Sequence, residues 1–166
     1  MKYITSLTLL CFFLVGFQSS VDRINFSGKW KLDTKKSANL PASFQHVDAY
    51  VMEVRQTADS IIVNVSLSGD GQDVKLPVTV YACSGTEIYR EDTLRGSKRW
   101  SKGVWTTTGK KFIIDNRVEQ KRGEQKYTQR DIWQLNDQNT LQISVTQQFD
   151  MHDSTRSERR VFHRVK

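Results

Sequence analysis

Apolar and polar residues alternate in short runs along most of the chain, with turn-forming residues between the runs. That period of two is the signature of strands with one buried face and one wet face. The pattern predicts strands over 26–32, 48–57, 60–68, 73–82, 86–91, 98–107, 110–121, 124–135, 139–149 and 156–165. Ser68-Gly69-Asp70-Gly71, Ser84-Gly85, Thr108-Gly109, Arg122-Gly123 and Asp137-Gln138-Asn139 supply the turns. No segment sustains a helical period. Residues 33–47, with Pro41 among them, form the long early connection, where a short helix or a lid is expected. Consecutive antiparallel strands joined by short loops form an up-and-down meander. Closing it into an all-β barrel of roughly 8–10 strands removes the exposed edges.

Turn length sets register, and register sorts side chains between the two faces. A two-residue turn at Thr108-Gly109 places Trp105 opposite Phe112, Gly103 opposite Ile114, Ser101 opposite Asn116 and Arg99 opposite Val118. A two-residue turn at Arg122-Gly123 pairs Phe112 with Trp133, Ile114 with Asp131, Asn116 with Gln129 and Val118 with Tyr127. A three-residue loop 137–139 with Asn139 left-handed pairs Leu135 with Leu141, Trp133 with Ile143, Asp131 with Val145 and Gln129 with Gln147. The resulting inner face is layered. Trp105, Phe112, Trp133 and Ile143 make an apolar layer. Ser101, Asn116, Gln129 and Gln147 make a polar, uncharged one. Arg99, Val118, Tyr127 and Phe149 follow. Lys102, Lys111, Asp115, Arg117, Glu119, Arg130 and Gln142 face solvent. Burying four amide or hydroxyl groups unpaired costs about 1–3 kcal/mol each, so that layer needs water, mutual hydrogen bonds or a ligand. Asp131 is the one carboxylate on this face.

The first twenty residues break the pattern. Lys2 is their only charge, Ile4 to Phe17 is an apolar run, and Ser19-Ser20 precede charged Asp22 and Arg23. This is the layout of a secretory signal peptide, with cleavage expected near Ser19 or Ser20. The run is short for a membrane span. The expected organisation is a 1–20 signal and a single domain over 21–166, exported to a periplasm or the outside, with no transmembrane segment after removal. Cleavage removes Cys11 and leaves Cys83 without an internal disulfide partner; it is expected to be a small buried residue.

Composition and charge narrow the classes. The chain has 166 residues, a net charge of +7, 26% charged residues and two cysteines, which excludes a disulfide-stapled mini-domain. Residues 95–166 hold twice as many basic as acidic residues. They are spread over several strands and turns, so a solvated face is expected rather than a nucleic-acid surface.

Phe26-Ser27-Gly28-Lys29-Trp30-Lys31-Leu32, followed by Lys36-Ser37, resembles the opening of the lipocalin-like proteins, exported bacterial relatives of the calycin barrels. Ile132-Trp133-Gln134-Leu135-Asn136-Asp137, running into Asn139-Thr140-Leu141, resembles their later hairpin, and Arg160 to Arg164 around Phe162 their last strand. A T-D-Y motif and the helix pair of fatty-acid-binding proteins are not evident. The resemblance implies a barrel with one open mouth and a small-molecule cavity. Gly28 and Trp30 would plug the closed end, and either Arg160 or Arg164 would pack on the tryptophan.

Catalytic and metal chemistry find little support. His46, His152 and His163 lack metal-ligand spacing, no nucleophile–base set is recognisable, and Glu87, Glu91 and Asp92 read as a solvated edge strand. No cofactor, metal or enzymatic activity is expected. The expected function is binding of a small hydrophobic or amphiphilic molecule, with Arg99, Ser101, Trp105, Asn116, Tyr127, Gln129, Asp131, Trp133 and Gln147 as candidate ligand-binding residues. The alternative is a filled, non-enzymatic barrel that meets a protein partner through its basic face or outward Trp100.

Overall fold

Hairpin chemistry builds the sheet step by step. The computed structural model describes residues 22–92, 96–120, 126–150 and 154–165. Its strands are β1 (Gly28–Leu32), β2 (Ala49–Gln56), β3 (Ser60–Gly69), β4 (Gln72–Lys75), β5 (Thr79–Ala82), β6 (Glu87–Asp92), β7 (Ser97–Trp105), β8 (Lys111–Glu119), β9 (Lys126–Asp137), β10 (Thr140–Phe149) and β11 (Ser154–Val165). A short 3-10 helix, Ala42–His46, lies in the early connection, where a helix or lid was expected. At β2–β3 the Thr57 hydroxyl accepts from the amides of Asp59 (3.3 Å) and Ser60 (3.0 Å). At β3–β4 the Asp70-Gly71 pair has φ of 51° and 72°, the left-handed geometry that matches the twist of a two-residue hairpin.

The eleven strands form one antiparallel sheet in the order β4-β3-β2-β1-β11-β10-β9-β8-β7-β6, with β5 also on β3. β4 and β5 occupy successive lengths of the same place beside β3. They are the expected 73–82 run, interrupted around Pro77, which has no N–H for a ladder. The meander is thus the antiparallel up-and-down architecture that the alternation implied.

Every register pair expected between β7, β8, β9 and β10 on the inner face is present, but two loops differ from expectation. The β7–β8 loop is wider than Thr108-Gly109. Thr106 N–H donates to Lys111 O at 2.9 Å, and Gly109 N–H to Thr106 O at 2.9 Å, so the chain turns over 107–110 with the register kept. Asn139 is not left-handed. Asp137 pairs with Thr140 across a two-residue loop, and a bulge between Thr140 and Leu141 restores the expected pairs. The Arg122-Gly123 turn and the 1–20 segment lie outside the described residues.

Residues 22–27 cross one end of the barrel and plug it. Ile24 N–H donates to Gly109 O at 3.1 Å. Phe26, fully buried, stacks on Trp105 (5.6 Å between centroids) and meets Trp133 edge-on (5.8 Å). Trp30 is also fully buried, and its Nε1 donates to Phe26 O at 2.9 Å. Of the two arginines open to choice, Arg164 lies over Trp30, 4.2 Å from its centroid. Gly28 permits this arrangement. It has φ of 143°, and a Cβ there would collide with the Arg164 guanidinium. Arg164 then donates to Ser27 O (2.8 Å) and Gln138 O (3.0 Å).

Candidate functional site

Above that aromatic floor the inner face turns polar. Ser101 (β7) and Asn116 (β8) are 2% and 3% exposed, in the register the alternation requires, and Ser101 Oγ donates to Asn116 Oδ1 at 2.8 Å. Gln147 (β10) donates to Gln129 (β9) at 2.9 Å. Gln129 in turn donates to Asp131 Oδ1 at 2.8 Å. The polar layer therefore satisfies much of itself by mutual hydrogen bonding. It does not satisfy all of it: Asn116 Nδ2 is buried without a partner.

Asp131 is buried. Burial pushes its carboxyl up to about 6, against the opposing pull of the Gln129 N–H and the positive fields of Arg160 and Arg99. Charges that the alternation of 98–149 did not reveal lie nearby. Glu158 on β11 is buried and pairs with Arg160, two residues along the same strand face. Glu158 Oε2 and Arg160 Nε have no hydrogen-bond partner. On the other side, Arg90 of β6 donates to Val80 O at 2.7 Å and lies 5.6 Å from the Tyr81 ring centroid. Tyr81 is buried, and burial, aided by the Asp131 charge, pushes its hydroxyl up to about 12.

The 3-10 helix adds a cover. Phe44 stacks on Tyr50 at 5.8 Å, with the Arg160 guanidinium 5.4 Å from the Phe44 centroid. Tyr50 meets Phe162 edge-on at 5.7 Å.

The candidate residues therefore separate by depth. Trp105 and Trp133 belong to the floor, where Phe26 covers them. Ser101, Asn116, Gln129, Asp131 and Gln147 form the polar belt. Arg99 and Tyr127 stand in the next row, with Tyr127 against Phe149 at 5.4 Å. Gly28 and Trp30 are at the plug. Missed were Tyr50, Tyr81, Arg90 and Glu158 as interior groups, while Arg160, one of the two arginines offered for the plug tryptophan, lies instead against Glu158 and Phe44. The signal for Arg90 was its place in the 86–91 run, directly opposite Arg99 once paired.

The outer-face features resolve as surface structure. Trp100 is half-buried beneath Arg117 (4.3 Å to the centroid) and beside Tyr89 (5.2 Å). Glu87 and Glu91 sit opposite Lys102 and Lys98, and Cys83 is buried. His163 pairs with Asp33 at 2.9 Å, and His46 is exposed. His152 lies outside the described residues. Among the described residues no group of three His, Cys, Asp or Glu is placed to hold a metal ion, and no helix is long and apolar enough to cross a membrane. A cleft of about 340 Å³, lined by Arg23, Asn25, Gln56, Thr57 and Ala58, lies at the plugged end; none of the polar-belt residues lines it.

No family model matches the sequence, and neither does any curated protein. Solved structures do share the fold. Human cRBP IV superposes with a TM-score of 0.52 at 12% identity, over 86% of this chain and 99% of that one. At that identity the likeness concerns the fold.

Proposed function

We propose that the chain is a non-enzymatic, exported barrel that binds a small hydrophobic or amphiphilic molecule inside. The carrying observation is the buried polar belt with atoms left over. Asn116 Nδ2, Arg160 Nε and Glu158 Oε2 face no partner, and buried polar atoms without partners are rare because each costs about 1–3 kcal/mol. A ligand with a polar group at belt level would complete them. Val118, Tyr127 and Phe149, one row further along β8, β9 and β10, offer its apolar part a surface. The barrel fold that the chain shares with human cRBP IV supports an interior of this kind. Export is inferred from the 1–20 pattern.

Native mass spectrometry of the protein isolated from its own cells tests the binding reading. A stoichiometric small molecule that leaves on organic extraction is expected. A bare chain that also fails to quench its tryptophans on titration with decanol would overturn it. Mass analysis of the exported protein is expected to find a start near Val21; full-length chain retained inside the cell would overturn export.

A further inference from the structure

Arg90 and Arg99 are direct cross-strand partners on β6 and β7. Both face inward. Arg90 lies against the buried Tyr81 ring, and Arg99 stands opposite Val118, which is 2% exposed. The alternate positions Tyr89, Trp100 and Arg117 stack together on the outer face. Like charges placed directly opposite one another destabilise a strand pair, and partial burial removes the water that would screen them.

Resting on the barrel reading above, we infer that the bound molecule carries an anionic head group held between Arg90 and Arg99, with Asn116 Nδ2 as a third donor. Arg90 Nε is buried without a partner, and so is Asn116 Nδ2. Asn116 is paired with Ser101, two residues beyond Arg99 on the same strand face, so the donors occupy adjoining places on β6, β7 and β8. Among the described side chains, no carboxylate makes an ion pair with Arg90. Glu87 and Glu91 stand opposite Lys102 and Lys98, Asp131 takes the Gln129 amide, and Glu158 pairs with Arg160. Two planar guanidinium groups on directly paired residues suit a head with two or three oxygens, which accepts from both once Arg90 turns from Val80 O. Carboxylate, sulfate and phosphate heads share that chemistry. The tail would run along Val118, Tyr127 and Phe149, since the plugged end is filled by aromatic rings.

Isothermal titration of the full domain with decanol, decanoate, decyl phosphate and decyltrimethylammonium, all below micelle formation, tests this. Charge-assisted hydrogen bonds predict that at least one anionic probe binds about tenfold or more tighter than decanol, and that the cation binds no better than decanol. The tighter of the two anions identifies the head group. Arg90→Gln or Arg99→Gln is expected to abolish the anion's advantage over decanol in the same variant, and Arg90→Lys to keep part of the preference. Equal affinities for decanol and both anions in the unaltered protein would overturn the anionic site and leave the barrel reading standing. Failure of every probe, with the protein folded by circular dichroism, would overturn both.

Discussion

Asp131 carries a folding-stability signal that can be read in solution. Its carboxyl is pushed up to about 6 by burial, while an unfolded aspartate titrates near 4. Between those values the folded chain holds a proton that the unfolded chain has released. The stability that Asp131 contributes is therefore fully present below about pH 4 and is lost as pH rises through about 6, by about 3 kcal/mol in all. Replacing Asp131 with Asn keeps an acceptor for Gln129 and removes the titration. Urea unfolding at about pH 4 and about pH 7 should show the variant gaining on the parent at the higher pH. An unchanged difference between the two pH values would mean that the carboxyl titrates in the folded chain as it does in the unfolded one. Gly28 gives a second residue-scale expectation. In Gly28→Ala the new methyl displaces Arg164 from Trp30 at an already left-handed φ. A loss of about 1–3 kcal/mol is expected, with a red shift in tryptophan emission. A melting temperature equal to the parent's would show that the arginine relocates at no cost.

At the scale of elements, alternation made β7 to β10 legible because each hairpin register gathers nearly all the charges on one face and the large buried side chains Phe112, Ile114, Trp133, Leu141 and Ile143 on the other. A one-residue slip would have put Phe112, Trp133 and Leu141 in water. The loop details were not legible. A wider loop at 107–110 and a bulge after Thr140 preserve the same register as the loops expected, and sequence cannot distinguish solutions that bury the same side chains. The interior charges were hidden for a related reason. Asp150-Met151-His152-Asp153, between β10 and β11, holds no glycine or asparagine to fix a turn length, so the placement of Glu158 and Arg160 opposite Val145 and Ile143 could not be counted out. The N-terminal segment was misassigned in part. Phe26 was expected within the first strand, yet it lies before β1 and fills the barrel end. Phe26→Ala should therefore cost as much as a core truncation, about 3–5 kcal/mol. Denaturant midpoints check it, and a loss below about 1 kcal/mol would mark the segment as an ornament of the barrel.

Over the whole molecule the barrel has one weak join. Its hydrogen-bonded path ends at β4 on one side and β6 on the other, and the Arg90 guanidinium reaches across to Val80 O on β5. A side chain thus does there what a backbone ladder does elsewhere, and the same side chain is half of the proposed anion site. Opening energy should follow pairing: β8, β9 and β10 have partners on both sides, while β4 and β6 each have one. Hydrogen exchange is expected to be slowest in β8 to β10 and fastest in β4 and β6. An anion that draws Arg90 toward Arg99 competes with Val80 O for the guanidinium yet bridges β6 to its neighbours. Bridging involves two strands and the clamp only one contact, so the tighter-binding anionic probe is expected to slow exchange in β6 while decanol leaves it unchanged. Protection confined to β9 and β10 would place the ligand beside Gln129 and Gln147, away from the join.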